Sequence, residues 1–504
     1  MRGRGLKASY LVLLFMVLAA AWRLYLMDSY YGWEESDYGN LAMTKGVLDG
    51  GFRHFDMNHL PLYYAVSAMV MAVVGDATWA CVGVSFLSGV ALVGVSVLLA
   101  YRVFGVAVAW LSGLFLLIQP ELALYSASSL REPVYGFLVV LALLCINDRR
   151  VFLASIIAGA AFLTRMDALL ILGPFILFTG AMYSKGGLGS RLFGAIAGLL
   201  PLVSIVGLWS VYCYFEHGTF AFWGHSIAVN LETGGTEDSG FAIGNGVAVA
   251  AALFGPVLSS KFGLFVLLGW VVGILQTPWR SQNQRRNVSI LSVLMLGFWL
   301  ALGFFGQHEP GHNLYWKWLY GVSPLLILVG SAGLLQLVGG LPMARWGRST
   351  LLAGCVGQSV FVMWSETERQ VELSEEILGP QVDLAHWVEA ETADDNVMLL
   401  DNVPERWLSR REHSRELYTW MDLPVCDDGT TSCSWSAEQF AIWLEVTGVE
   451  YVLWYAEEWT GAPNAAPWLG TVDPWTSGAV TLNPLRSARL GMVDAWVFYE
   501  VILP

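Results

Sequence analysis

Repeated apolar stretches constrain this chain more than any other feature of its sequence. Eleven of them, most about 15 to 24 residues long, carry few or no charged residues, and 56% of all 504 residues are hydrophobic. A helix of about 20 apolar residues spans the hydrocarbon core of a bilayer. The sequence therefore predicts an all-α polytopic membrane domain with about eleven transmembrane helices. The crossings are expected at residues 8–27, 78–101, 106–120, 133–147, 151–164, 168–183, 192–214, 262–277, 288–306, 318–340 and 349–364.

The distribution of basic residues predicts the orientation of these helices. Lys and Arg gather in alternate short loops, which the positive-inside rule assigns to the cytoplasm. Of the 16 acidic residues before residue 365, only Asp148 falls on that side. The amino terminus is therefore expected inside. The C-terminal part is expected on the exterior or periplasmic side of a plasma (inner) membrane.

Two apolar stretches, 60–75 and about 246–258, are not counted among the crossings. The apolar stretch 60–75 would invert every later basic loop if it crossed the membrane, so it is expected to lie at the outer interface. The first helix is expected to remain as an uncleaved span, because no small-residue cleavage site follows it. Exterior loops are expected at 28–77 and 215–260. The second, rich in glycine and polar residues, is either a mobile lid or a disordered connection.

The C-terminal part, residues 365–504, differs from the rest in charge. It has 25 acidic residues against 7 Arg and no Lys, a balance that disfavours nucleic acid as a partner. Segments such as "VEYVLWYAE" and "DAWVFYEVIL" are typical of strands, and "SAEQFAIWLEVTG" is typical of a helix. The sequence predicts a soluble exterior α/β domain here, after a transmembrane domain of residues 1–364. Cys426 and Cys433 form either a small disulfide loop or, less simply, a metal site.

A cluster of acids follows the first predicted span, in "WEESDYGNLAMTKG". Glu34, Glu35 and Asp37 lie within four positions of one another. Helix capping explains one or two of them, since a helix macrodipole favours anions in its first turn. Ionisable groups beside a membrane are costly unless they are paired or functional, which makes a catalytic role the alternative.

The acid pair and the segment that follows resemble a known family. The order acid-acid-x-x-Tyr-x-x-x-Ala, then Gly-Gly, then "HLPLYY" resembles the polytopic glycosyltransferases of the GT-C fold, in the branch of protein O-mannosyltransferases and lipid A aminoarabinose transferases. That branch usually has Asp first and His-Pro-Pro later. "SASSLREPVYGF", "GAAFLTRMDALL" and "YWKWLYGVSPLL" resemble later motifs of the family in the same order, over residues 8–364. The first pattern comprises Glu34, Glu35, Tyr38, Ala42, Gly50, Gly51, His59, Pro61, Leu62, Tyr63 and Tyr64.

The resemblance implies a function and a set of residues. Family members move a sugar from a polyprenyl-phosphate carrier to an acceptor hydroxyl of a lipid, glycan or protein, usually with inversion. The acceptor needs a base, and the departing phosphate needs cations. Glu34 and Glu35 are the candidate catalytic bases. The candidate substrate-binding residues are Asp37, Tyr38, His59, Tyr63, Arg131, Glu132, Arg165, His308, His312 and Lys317.

Each of the proposed cations has a structural alternative. Arg131 is equally suited to an ion pair with Glu132 or Glu121, and Arg165 to one with Asp167. Lys317 is also suited to reaching the interface with its long side chain. His308 and His312 have a spacing that fits a metal site on a helix, but Pro310 and Gly311 break that helix. No cofactor is required by the sequence, and a divalent cation is left open.

Two other classes of function fit the composition. A transporter or flippase of lipid-linked glycans predicts ionisable residues deep inside the spans, whereas here they gather at one surface. A non-catalytic membrane scaffold with an acidic tail predicts exterior charges without a motif order. The glycosyltransferase interpretation fits both the order and the outward placement, so it is preferred.

Overall fold

The structure is a computed structural model. It describes residues 2–28, 35–50, 60–220, 261–276, 285, 287–294, 296, 320–391, 398–399, 417–418, 436–455, 474–477, 479–490 and 494–502. The chain divides into two compact units. The first contains Met1–Gly32 and Asn40–Glu372, and the second contains Trp33–Gly39 and Leu373–Pro504.

Where the structure describes residues 2–391, they form mainly helices, and most of these helices overlap the predicted apolar stretches. The second helix, α2, covers most of the acidic segment. The helices are α1 (Arg2–Met27), α2 (Glu35–Gly50), α3 (Leu62–Val74), α4 (Ala77–Val103), α5 (Val106–Ile118), α6 (Pro120–Leu124), α7 (Glu132–Asn147), α8 (Val151–Phe162), α9 (Asp167–Tyr183), α10 (Leu188–His217), α11 (Leu264–Gln276), α12 (Ser323–Gly340) and α13 (Arg345–Glu391).

Several of these helices suit a membrane by length and composition. Among the described residues, four are long and apolar enough to cross it, in α1, α4, α10 and α12, or five if the bent pair of α5 and α6 counts as one span. Shorter apolar helices are α3, α7, α8, α9 and α11. The protein is thus a multi-pass integral membrane protein, while the number of eleven crossings and the interfacial position of α3 stay predictions.

The chain bends sharply between α5 and α6, and the sequence explains why. Gln119 precedes Pro120, and a residue before proline avoids the helical conformation. Gln119 accordingly has φ −62° and ψ 123°, and its side chain accepts a hydrogen bond from the Leu122 backbone amide. The helix axes of 106–118 and 120–127 differ by 68°. We call residues 119–131, between α5 and α7, the connector.

Glycines allow α11 and α12 to pack backbone to backbone. A Cβ atom added at Gly333 would lie 1.8 Å from the carbonyl oxygen of Gly269, and one added at Gly330 would lie 2.5 Å from the carbonyl oxygen of Val266. Small residues at regular spacing are how membrane helices approach each other closely. This contact holds the middle of α12 against α11.

The second unit contains a six-stranded mixed sheet and a helix. The strands are β1 (Met398–Leu399), β2 (Leu417–Tyr418), β3 (Tyr451–Tyr455), β4 (Trp475–Ser477), β5 (Val480–Leu490) and β6 (Asp494–Ile502). Their order is β2-β1-β3-β6-β5-β4. β1 is parallel to β2 and β3, whereas the β3–β6, β6–β5 and β5–β4 pairs are antiparallel.

Helix α14 (Ala437–Thr447) lies where "SAEQFAIWLEVTG" predicts it. Ser436 and Gln439 form a capping box at its start, and Gly448 ends it in the left-handed conformation. The strands expected in "VEYVLWYAE" and "DAWVFYEVIL" are β3 and β6. Much of residues 392–474 lies outside the described residues, so the α/β class of the whole tail stays a prediction.

Candidate functional site

The connector contains several of the buried polar groups of the first unit. All of residues 119–130 are buried, and Arg131 is half-buried. Buried polar side chains in this segment include Gln119, Glu121, Ser126 and Ser129. A buried carboxylate is stable only when it is paired, so distant elements must supply partners. In the predicted topology the connector lies at the outer end of the helices.

The first ionic group of the site centres on Arg165, in the turn between α8 and α9. Arg165 Nη1 donates to Glu132 Oε1 at 2.7 Å, and its Nε donates to Asp167 Oδ1 at 3.1 Å. The guanidinium also lies over the Tyr135 ring, 5.6 Å from its centroid. Burial lowers the pKa of the Arg165 guanidinium, but Asp167 and Glu132 outweigh burial and leave this pKa raised. Arg165 is a permanent cation held by two acids.

Arg131 has a different environment from Arg165. It lies directly before α7, and its side chain is half-buried. The sequence offers Glu132 and Glu121 as partners, but the structure pairs Glu132 with Arg165 and Glu121 with Lys261. No acid among the described residues pairs with Arg131. Of the predicted cations whose side chains are described, Arg165 is already paired with two acids, so Arg131 is the one better placed to bind an anionic ligand.

The second ionic group was not identified from the sequence. Lys261 Nζ lies 2.7 Å from both Glu121 Oε1 and Glu366 Oε1. Gln119 Nε2 donates to the other oxygen of Glu121, and Arg369 binds both oxygens of Glu366, at 2.8 and 3.0 Å. The available signal was the position of Lys261 and Glu366, each next to the end of a predicted span.

Glu366 is ionised because of these neighbours. It lies two residues beyond the predicted span 349–364. Burial raises the pKa of Glu366, but hydrogen bonds from Arg369 and the charge of Lys261 outweigh burial and bring the pKa to about 2. The group therefore combines two buried carboxyl groups, Glu121 and Glu366, with the cations Lys261 and Arg369 around the first turn of the connector.

A network of neutral hydrogen bonds joins α2 to the connector. Asn40 Nδ2 donates to the backbone carbonyl of Ser129 at 2.8 Å, and Tyr64 donates its hydroxyl proton to Asn40 Oδ1 at 2.8 Å. Tyr63, a predicted substrate-binding residue, is fully buried, and its hydroxyl lies 3.2 Å from Ser85 Oγ. Ser85 in turn donates to the carbonyl of Leu130. These contacts give Tyr63 a structural role, while its contact with substrate stays a prediction.

Several predicted residues cannot be placed by side chain. Helix α2 contains Glu35, Asp37 and Tyr38, but only their backbone is described. Glu34, His59, His308, His312 and Lys317 lie outside the described residues. Within the described part of the chain, no group of three or more His, Cys, Asp or Glu is arranged to hold a metal ion. The divalent cation thus stays an open expectation.

Comparisons with known proteins bear on the fold. No protein-family model and no curated protein sequence matches this chain. Among solved structures, ArnT from Cupriavidus metallidurans in the apo state has a TM-score of 0.60 and 14% identity, with 98% of each chain covered. ArnT bound to undecaprenyl phosphate has a TM-score of 0.60 and 14% sequence identity, with 97% of each chain covered. The Archaeoglobus fulgidus oligosaccharyltransferase has a TM-score of 0.48 and 12% sequence identity, with 88% of this chain and 67% of that chain covered. The predicted GT-C fold is confirmed.

Proposed function

We propose that this protein is a membrane glycosyltransferase that moves a sugar from a polyprenyl-phosphate donor to an acceptor hydroxyl on the non-cytoplasmic face, with inversion. One observation carries this proposal. In a chain with the fold of ArnT, the connector joins ionised side chains from distant elements, and one cation beside them, Arg131, has no described acid partner. ArnT itself has been solved with undecaprenyl phosphate, which makes a sugar linked to a polyprenyl phosphate the first donor to test.

The chemistry divides between a base and cations. In the proposed reaction the acceptor oxygen attacks the anomeric carbon of the sugar, and the bond from that carbon to the phosphate oxygen breaks. The base, Glu34 or Glu35, takes the proton of the acceptor hydroxyl as the new bond forms. The phosphate leaves with the electron pair of the broken bond and is stabilised by fixed cations. Attack opposite the leaving group inverts the anomeric centre.

The surroundings of each cation suggest different roles in this reaction. Arg131 is the best supported phosphate ligand, because its charge has no described counterion. Arg165 is better suited to holding Glu132 and Asp167 in place, since both carboxylates already bind it. Lys317 is proposed as a second phosphate ligand, and His308 and His312 as hydrogen-bond donors, from the family resemblance alone. Asp37, Tyr38 and His59 are proposed to contact the sugar on the same basis.

A transfer assay tests the proposal. Purified protein is incubated with radiolabelled polyprenyl-phosphate sugars and a panel of lipid, glycan and peptide acceptors. Wild type is compared with Glu34→Gln and Glu35→Gln, and Asp148→Asn, at the predicted cytoplasmic side, serves as the matched acid-to-amide control. At least one of the first two variants should lose transfer by roughly 100-fold or more, as loss of a general base does. Undiminished transfer in both variants would remove the assigned base. Absence of transfer from every donor would remove the function.

A further inference from the structure

Arg23 is a fully buried arginine near the outer end of α1. It lies four residues before the last residue of this helix, and none of its surface is exposed. Its Nη2 donates to the backbone carbonyl of Leu122 in the connector at 3.0 Å, and its Nη1 donates to the carbonyl of Ala19 at 3.3 Å. Its Nε has no hydrogen-bond partner. The side chain thus reaches from the first helix to the connector.

Arg23 lacks what the other buried cations have. Arg165 and Lys261 each lie 2.7 Å from a carboxylate, whereas no described acid pairs with Arg23. Burial of an unpaired charge is strongly unfavourable, and two neutral carbonyls compensate for it only in part. A neutral residue such as glutamine could make similar hydrogen bonds at a lower desolvation cost. The charge itself therefore calls for an explanation.

The surroundings of Arg23 are arranged to hold it. The carbonyl oxygen of Leu122 also accepts from Ser126 Oγ, and Ser126 lies 3.1 Å from the Tyr320 hydroxyl. Gly89 in α4 leaves the necessary space, since a Cβ there would meet Ser126 and come within 3.4 Å of Arg23 Nε. Side chains and one glycine from four segments thus enclose the guanidinium. These contacts fix the position of the Arg23 guanidinium between α1 and the connector.

We propose that Arg23 is a positioning residue. Its fixed positive charge, held by α1 against the connector, favours binding of the donor's phosphate near the connector at the outer end of the helices. This inference rests on the proposed function. Arg23 is fully buried, so it acts through space and through the connector and does not touch the ligand. At an effective dielectric constant near 20, the attraction between two unit charges about 10 to 15 Å apart raises the affinity for a monoanion by roughly 5- to 20-fold.

Binding measurements on the full chain test this role without requiring transfer. The probes are undecaprenyl phosphate and the neutral alcohol undecaprenol, and the variants are R23Q, R23K and S126A. R23Q should bind undecaprenyl phosphate about 5- to 20-fold more weakly while its affinity for undecaprenol is unchanged. R23K keeps the charge, and S126A loosens the same contacts without changing charge. Both should stay within about threefold of wild type for both probes.

The outcomes separate the two proposals. A wild type that binds the phosphate no better than the alcohol contradicts the proposed function. If wild type binds undecaprenyl phosphate more tightly than undecaprenol, and R23Q shows the same preference as wild type, the role of Arg23 is contradicted. A loss in S126A or R23K as large as that in R23Q also overturns it, because geometry and not charge would then be responsible.

A second variant covers the case in which R23Q does not fold. In R23H the charge can be titrated within one folded protein between about pH 4 and 7, because an imidazole loses its proton near pH 6.5 in water and at a lower pH when burial disfavours its charged form. Relative to wild type at each pH, R23H should lose affinity for undecaprenyl phosphate as pH rises through that range, and its affinity for undecaprenol should stay constant. If the ratio of the R23H affinity to the wild-type affinity for undecaprenyl phosphate does not change with pH, the proposal is overturned.

Discussion

The connector and the α11–α12 contact bring helices together in two different ways. At the contact, Gly269, Gly273, Gly330 and Gly333 let two backbones touch, and no charge takes part. In and directly after the connector, Glu121 and Glu132 are buried with cations from distant segments. Close packing of small residues is sufficient to join membrane helices. The expensive ionic arrangement is therefore best explained by a task that packing cannot perform, such as binding a charged donor.

Removing a cation that pairs with the connector should have the largest effect on stability. Lys261→Met leaves Glu121 without its ammonium partner, and the loss of one member of a buried ion pair typically costs about 3 to 5 kcal/mol. The free energy of unfolding in detergent measures this loss. Lys261→Met combined with Glu121→Gln should recover part of it, because Glu366 keeps Arg369. Lys185→Met, in a predicted cytoplasmic loop, is the matched control, and equal losses in both lysine variants would contradict the account.

The glycine contact should respond to a single methyl group. In Gly333→Ala the new Cβ would lie 1.8 Å from the carbonyl oxygen of Gly269, so α11 and α12 must move apart. Overpacking of this kind costs about 1 to 3 kcal/mol. Gly339→Ala in the same helix is the control, since nothing lies within 4 Å of its added Cβ. Thermal unfolding in detergent compares the two, and identical midpoints would mean that the helices are not in this contact.

Two arginines of the connector region should separate function from stability. Arg131→Gln should raise the KM for a polyprenyl-phosphate sugar about tenfold, the effect of losing one charged hydrogen bond, and change the unfolding free energy by less than about 0.5 kcal/mol. Arg165→Gln should instead destabilise the protein, because Glu132 and Asp167 lose their shared partner. Steady-state kinetics and unfolding are measured on both variants. The reverse pattern would exchange the roles assigned to the two side chains.

A surface ion pair gives the smallest expected effect. Arg102 and Asp148 lie 2.8 Å apart at the predicted cytoplasmic side, with side chains 44% and 34% exposed. Exposed pairs contribute about 0 to 1 kcal/mol and are screened by salt. Arg102→Ala should therefore lower the unfolding free energy by less than about 1 kcal/mol, and less still at high salt. A loss comparable to that of Lys261→Met would remove the distinction between buried and surface charges.

The sequence predicted what depends on local patterns. Apolar stretches placed the helices, because each stretch must be buried in lipid or protein along its whole length. The order of the motifs predicted the GT-C fold. The ion pair between Arg165 and Asp167, offered by the sequence as a structural alternative, is present at 3.1 Å. The strands β3 and β6 and the helix α14 were likewise readable from alternation and capping residues.

Pairing between distant charges was not predictable in the same way. Lys261 binds Glu121 and Glu366, which are 140 and 105 positions away, and only the packing of the helices decides that they meet. Arg131 illustrates the converse, since its neighbour in sequence, Glu132, points to Arg165 instead. Arg23 was overlooked because an arginine four residues from the end of a span is ordinarily explained by its long side chain reaching the interface.

The central claim is that the acidic segment and the connector face the non-cytoplasmic side of the membrane. The most direct test is labelling of Ser36→Cys with a membrane-impermeant maleimide, in a chain whose Cys426 and Cys433 are replaced by serine. Ser190→Cys, in a predicted cytoplasmic loop, is the reference. The account predicts that position 36 is labelled in intact spheroplasts and position 190 only after permeabilisation. Labelling of position 36 only after permeabilisation would contradict it.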